Sequence, residues 1–259
     1  MKIAILGAGA FGTALGGILA SNGYDIDYYD SRVEKERLGD VIQGAKYVVL
    51  CVPSKAVPYV LPHLPKDKPL IVATKGILTD ETFVPFKDYM VLSGPGFADD
   101  IKAHKKTYLT LTDKRLAEMF RAEYMEFDFT SDRKGVLMCG ALKNVYACLA
   151  GLWGLERNTG PWRAFVDEVL EEMRDLLVAN GAKAATVNCA CGRGDLELTA
   201  GMPSRNYEFG LQIRNGKGYH SEKTVEGLSA LKRICRGEIV VLSSAKKLNF
   251  IMGESKKWD

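Results

Sequence analysis

The chain reads as an α/β protein, with an N-terminal doubly wound parallel sheet followed by a C-terminal all-α domain. Three observations predict this. Short apolar runs punctuated by Gly, Pro and Asp alternate with helix-like stretches through the first half. A glycine-rich loop separates the first such run from the first helical stretch. From about Arg133 the pattern changes to long apolar or amphipathic segments with helical spacing.

Taken in order, Lys2–Leu6 is a short apolar strand, and residues 11–21 set small and apolar side chains at helical spacing, with Asn22-Gly23 as the stop. Asp25–Tyr29, residues 47–52, 70–74, Tyr89–Ser93 and 108–112 are further strands. The continuous apolar run Tyr47-Val48-Val49-Leu50-Cys51-Val52 suits a strand covered on both faces. Beyond Arg133, residues 136–152, 165–178, 204–214 and 222–235 are expected helices, the second with a charged face from Glu168 to Arg174. Residues 239–242 fit either a strand or a helical turn, and Glu254–Asp259 is expected to fray. The expected domains are residues 1–132 and 133–259.

Composition sets bounds. At 259 residues and 47% hydrophobic, the chain holds one large domain or two modest ones. A net charge of +3 is too weak a bias for nucleic acid, but it suits an anionic small molecule. No stretch of 18 apolar residues stands out, so no membrane insertion is expected. Met1-Lys2 leads straight into a strand, which argues against a cleaved leader. The six cysteines are then expected reduced in a cytoplasmic protein, and Cys189-Ala190-Cys191 lacks the second pair a metal site needs.

Gly7-x-Gly9-x-x-Gly12 is a dinucleotide-binding fingerprint in its required context, after a strand and before a helix. Gly7 permits the turn, Gly9 lets the backbone approach a pyrophosphate, and Gly12 lets helix and strand pack closely. This is the loop of a Rossmann domain. Asp30 ends the second strand, 18 residues after Gly12, where a carboxylate accepts ribose hydroxyls and disfavours a 2′-phosphate. NAD is the expected cofactor, with NADP open because Arg32 follows two residues later.

Four further words carry chemistry. Lys75 follows the fourth strand at the end where open α/β sheets bind ligands, or is an exposed lysine in a turn. Lys143 sits in the small, apolar run Gly140-Ala141-Leu142-Lys143-Asn144, where a lysine either snorkels or works. Burial and a second cation would bring it towards neutrality, the range for proton transfer to a developing alkoxide. Asn144 is either helix-face filler or a substrate hydrogen-bond partner. Gly192-Arg193-Gly194-Asp195 reads as a flexible loop whose Asp195 orients Lys143, binds a hydroxyl or merely caps. Thr199 is a second hydroxyl contact or a cap. Ser204-Arg205-Asn206 follows Pro203 and opens a helix, with Ser204 as N-cap and Arg205 as either a phosphate clamp or a surface charge.

In order along the chain, GAGAFGTALG, CVPSKAV, ATKG, LSGPGFADDI, GALKNVYACLAG, GRGDLELT, SRNYEFG and VEG resemble NAD(P)-dependent glycerol-3-phosphate dehydrogenases of the cytosolic type, from Lys2 to about Gly227. The resemblance implies reversible reduction of dihydroxyacetone phosphate to sn-glycerol 3-phosphate, a step feeding glycerophospholipid synthesis. It also implies Lys143 as proton donor and acceptor. Substrate contacts then fall on Lys75, Gly94, Asn144, Asp195, Thr199, Ser204, Arg205 and Asn206. Cofactor contacts fall on Ala10, Phe11, Ala98, Arg205 and Glu226, beside the glycines. No metal is implied, and the apolar helical half makes a homodimer the expected assembly. The chain departs from the family by being short, by Gly96 where Ser or Thr is usual, by Glu168-Val169 where Arg-Gly is usual, and by the opening Gly160-Pro161-Trp162. Two other readings fit the residues: another dehydrogenase of a small hydroxy acid or phosphate, and an idle dinucleotide-binding sensor.

Overall fold

A computed structural model of the chain describes residues 1–33, 37–216 and 224–258. Two compact units emerge: Met1–Lys75 with Asp80–Arg133, and Gly76–Thr79 with Lys134–Asp259.

Seven strands form the sheet of the first unit: β1 (Lys2–Leu6), β2 (Asp25–Tyr29), β3 (Tyr47–Leu50), β4 (Leu70–Val72), β5 (Tyr89–Ser93), β6 (Thr107–Leu111) and β7 (Met125–Phe129). Their order is β2-β1-β3-β4-β5-β6-β7. Pairing is parallel from β2 through β5 and between β6 and β7, but β5 and β6 run antiparallel, Leu92 facing Leu111. The wholly parallel sheet expected from sequence is corrected at that one junction.

Strand β7 was missing from the sequence reading. Its signal is the alternation of Met125, Phe127 and Phe129 with Glu126 and Asp128, which suits a half-covered strand at the sheet edge. Ladder pairing in β3 ends at Leu50, two residues early, where the Thr74 hydroxyl is shared between the carbonyls of Leu50 and Val52. Helices α1 (Ala10–Ser21), α2 (Leu38–Gln43), α3 (Val57–Val60), α4 (Ala98–Lys102) and α5 (Arg115–Met119) complete this unit. Leu15, Ile18 and Leu19 of α1 lie in one buried cluster with Ile3, Ile5, Val49, Ile71 and Met90 of the sheet. Each such side chain contributes roughly 1.5–3 kcal/mol by burial.

The second unit is helical. Helix α6 (Arg133–Trp153) is buried at every position from Gly135 to Gly151. It does contain an 18-residue window of mean hydropathy 1.4, contrary to the expectation that no stretch is that apolar. Since 94% of that window is covered by the rest of the chain, its apolarity serves a core. Around it stand α7 (Gly160–Ala179), α8 (Asp195–Thr199), α9 (Arg205–Arg214), α10 (Glu226–Cys235) and α11 (Lys246–Ser255). The expected helix start at Glu222 lies outside the described residues.

Residues 239–242 are neither strand nor helix, and the chain then forms α11. That helix has no local side-chain cap. Its cap comes from α7, where Glu172 accepts from the backbone amides of Lys247 (2.8 Å) and Leu248 (3.3 Å), so only the folded chain can supply it.

Helices α6 and α9 touch through glycine. A Cβ on Gly210 would lie 1.9 Å from the Cys148 carbonyl oxygen, and one on Gly151 would lie 1.9 Å from that of Tyr207. Both contacts are to backbone, so neither can yield by a rotamer change. Gly210→Ala is therefore expected to destabilise the protein by about 1–3 kcal/mol through overpacking, read as a lower urea midpoint. An unchanged midpoint would show that the two helices can separate freely.

Candidate active site

The glycine loop is built by close approach. Gly7 has φ +102°, and a Cβ there would lie 2.6 Å from the Cys51 carbonyl oxygen. A Cβ on Gly12 would meet the Gly7 carbonyl oxygen at 2.1 Å, while the space above Gly9 is open. Gly9 caps α1 without any side-chain hydrogen bond, and no acidic residue stands in the first turn at Ala10 and Phe11. Uncapped amides with a vacant approach at Gly9 fit a pyrophosphate.

Asp30, just past β2, is held by Arg32 in a two-pronged pair, Nε to Oδ1 at 2.9 Å and Nη2 to Oδ2 at 2.5 Å. That pairing keeps the Asp30 carboxyl below the usual carboxylate range, so it is ionised and able to accept hydroxyls. The positive charge beside it is the feature that leaves a 2′-phosphate tolerable.

Lys75, three residues past β4, donates to the carbonyl of Gly94 at 3.0 Å and lies 5.6 Å from the Phe11 ring centroid. Gly94 has φ +156°, and a Cβ on it would sit 2.6 Å from the Tyr108 carbonyl oxygen. A Cβ at Gly96 would stand 3.1 Å from the Thr107 methyl, a tight contact. Ala98 opens α4 against the sheet core. Sequence reasoning passed over Ser93, whose buried hydroxyl at the end of β5 has no partner among the described residues.

In the second unit, Lys143 is 4% exposed, and its Nζ donates to Asp195 Oδ1 and Thr199 Oγ1, both at 2.8 Å. Asp195 and Thr199 stand one turn apart on α8, so a single helix face presents both. The flexible loop expected at 192–195 is corrected. Ala190–Gly194 is a π-helical turn, and Asp195 is 1% exposed at the start of α8. The turn requires Gly192, where a Cβ would lie 2.1 Å from the Val187 carbonyl oxygen. At contact distance Lys143 meets the carboxylate of Asp195, which favours the ammonium form.

Asn144 points along a second line. Its Nδ2 donates to the Gly140 carbonyl at 3.0 Å, its Oδ1 accepts from Asn206 Nδ2 at 2.8 Å, and Asn206 Oδ1 accepts from the Gly227 amide at 2.9 Å. Two amides thus tie α6, α9 and α10 together. Ser204 caps α9, accepting from the Tyr207 amide at 3.5 Å. Arg205 is exposed in the first turn and makes no ion pair among the described residues. Glu226 opens α10, half-buried. Among the described residues no group of three His, Cys, Asp or Glu side chains is placed to hold a metal.

Arg157 carried no signal in the sequence, and Trp162 stood out only as part of an unusual opening. Arg157 donates to the Leu198 carbonyl, and burial pulls its guanidinium below the usual arginine range. Trp162 Nε1 donates to the Ala200 carbonyl at 2.6 Å. The unusual tryptophan at the opening of α7 was a visible signal whose target lay 38 residues away.

Residues 132–248 match the family model described as the NAD-dependent glycerol-3-phosphate dehydrogenase C-terminus. A glycerol-3-phosphate dehydrogenase [NAD(P)+] of Agrobacterium fabrum is 35% identical, over 84% of this chain and 81% of the relative. One from Syntrophotalea carbinolica is 32% identical over 96% and 89%. Among solved structures, glycerol-3-phosphate dehydrogenase from Coxiella burnetii superposes with a TM-score of 0.80 at 25% identity, covering 98% of this chain and 95% of that one. The Plasmodium falciparum enzyme, at 17% identity and a TM-score of 0.82, shares the fold. Identity above 30% sustained over more than four-fifths of both sequences leaves one conclusion: the chain belongs to the NAD(P)-dependent glycerol-3-phosphate dehydrogenase family.

Proposed function

We propose that this chain is an oxidoreductase that reversibly reduces dihydroxyacetone phosphate to sn-glycerol 3-phosphate, using NAD(H) or NADP(H). The observation that carries the mechanism is the buried Lys143–Asp195–Thr199 cluster. An ammonium held by a carboxylate and a hydroxyl is both oriented and kept protonated, as a proton donor to a developing alkoxide must be. In the oxidative direction the same nitrogen takes the proton back.

The residues that would hold the dinucleotide are Gly7, Gly9, Ala10, Phe11 and Gly12 at the pyrophosphate and Asp30 at the ribose; Ala98, Arg205 and Glu226 are further assigned contacts. The bound nicotinamide supplies or accepts the hydride. Arg205 and the free amides at the start of α9 bind the substrate phosphate, since that helix end combines a fork of donors with a favourable dipole. Ser204 supports this by fixing the helix start, and Asn206 by holding Asn144 in place. Asn144 and Thr199 bind the hydroxyl and carbonyl end. Lys75, with Gly94 turning its loop, adds positive potential to stabilise the developing negative charge. With this reading go a cytoplasmic setting and a homodimeric state.

The test is NADH oxidation by purified protein with dihydroxyacetone phosphate, beside phosphate-free dihydroxyacetone. Phosphate-dependent turnover is expected, and its absence would overturn the reading. Arg205→Ala should raise KM for the phosphorylated ketone by about tenfold to a hundredfold, the usual worth of a charge-assisted hydrogen bond. The phosphate-free ketone should be nearly unaffected. Equal effects on both substrates would remove Arg205 from the phosphate site.

A further inference from the structure

Helix α8 has five residues and continues the π-helical turn Ala190–Gly194, and its end must present Thr199 to Lys143 at 2.8 Å. Its closing carbonyls lie where a helix leaves acceptors unsatisfied. Two of them flank Thr199, and both are taken by side chains from the entry to α7. Arg157 donates through Nη2 to the Leu198 carbonyl, and Trp162 donates through Nε1 to the Ala200 carbonyl at 2.6 Å. The donors are themselves fixed. Thr159 caps α7 by accepting from the Trp162 amide, and the Trp162 side chain is 6% exposed. Arg157 packs over Gly201, where a Cβ would stand 3.0 Å from Nε, so glycine makes room for the guanidinium. Arg157 Nε is buried with no partner among the described residues. A half-buried guanidinium set on the Leu198 carbonyl, with its Nε buried and unsatisfied, carries a desolvation cost.

We propose that Arg157 and Trp162 are positioning residues, which clamp the backbone on either side of Thr199 and so hold its hydroxyl on the Lys143 ammonium. The proposal rests on Lys143 being the proton-transfer group. Neither side chain touches substrate; each acts through the peptide groups of residues 198–200. Loosening the clamp withdraws a hydrogen-bond acceptor from the ammonium, which weakens the charged form. Reduction needs that form, so the alkaline limb of its kcat–pH profile must move to lower pH.

The experiment compares Trp162→Phe, which keeps the ring and loses the N–H, with Arg157→Gln and Arg157→Lys. Melting temperature, kcat, KM and the kcat–pH profile are measured for each. In parallel, the Nζ resonances of 15N-lysine-labelled protein are recorded, with Lys143→Met identifying the Lys143 signal. Trp162→Phe and Arg157→Gln should each lower kcat about tenfold, well within the cost of a small misplacement. KM for dihydroxyacetone phosphate should stay within about twofold, and the alkaline limb should shift to lower pH. Arg157→Lys, which restores a donor, should recover part of the loss. The Lys143 Nζ signal should broaden in the first two variants.

Unchanged kcat, limb and Nζ signal in a folded variant would overturn the proposal. So would a lowered melting temperature with limb and signal unmoved, since that is a purely structural role. Should Trp162→Phe fail to fold, the Arg157 pair carries the same comparison. If wild type itself fails to reduce the ketone, the functional reading falls, and the Nζ signal still decides whether Arg157 and Trp162 position Lys143.

Discussion

Lys143→Met should lower turnover of dihydroxyacetone phosphate by ~10² or more, the usual contribution of a positioned acid–base group. NADH binding should stay within about twofold of wild type, because the glycine loop and Asp30 belong to the first unit and Lys143 to the second. The substitution keeps an unbranched side chain of similar length in a buried position, so helix α6 retains its packing. What it removes is the only group in the Lys143–Asp195–Thr199 cluster that can carry a transferable positive proton. Steady-state rates with fluorescence titration of NADH separate chemistry from binding. Near-normal turnover in a folded Lys143→Met protein would end the assignment, and a parallel loss of NADH binding would point to misfolding.

The second large effect is on stability. Asp195→Ala leaves a buried ammonium without its carboxylate, and breaking one side of a buried pair costs about 3–5 kcal/mol. For a chain of this length the melting temperature should fall on the order of 10 °C. The double variant Lys143→Met/Asp195→Leu should recover most of that loss, because an apolar pair of similar volume needs no compensation. This sign reversal distinguishes a buried pair from a solvated one, whose removal costs at most about 1 kcal/mol. A single variant within 1 kcal/mol of wild type, by chemical denaturation, would show that water reaches the pair. The result does not depend on the substrate.

These two expectations use different information. That Lys143 is out of the ordinary was legible in the sequence, because a lysine among Gly140, Ala141, Leu142 and Val145 has no reason to be there unless it works or snorkels. The glycine loop and Asp30 were equally legible, since a tight turn, a close approach and an acidic strand end are properties of adjacent residues. Strands β1, β2 and β5 were bounded correctly from short strand-like runs and the punctuation between them. Strand β7 was lost because its alternating acids resemble a surface loop until an edge position explains them. Helix α11 was lost because its cap, Glu172, is 75 residues away.

By itself, then, the chain's order of residues determined a dinucleotide loop, a parallel βα succession, a helical second half and the kit of lysines, aspartate and arginine–asparagine. Those follow from local spacing, which the backbone reads within a few residues. Only the tertiary structure decided what the kit does with itself. It turned Asp195 from a supposed flexible loop residue into a buried partner, 52 residues from the lysine it holds. It gave Asn206 to Asn144 and gave the carbonyls around Thr199 to Arg157 and Trp162. The reason is physical. A buried donor or charge must be satisfied by whatever the fold brings within about 3 Å, and that choice is made in space, not along the chain.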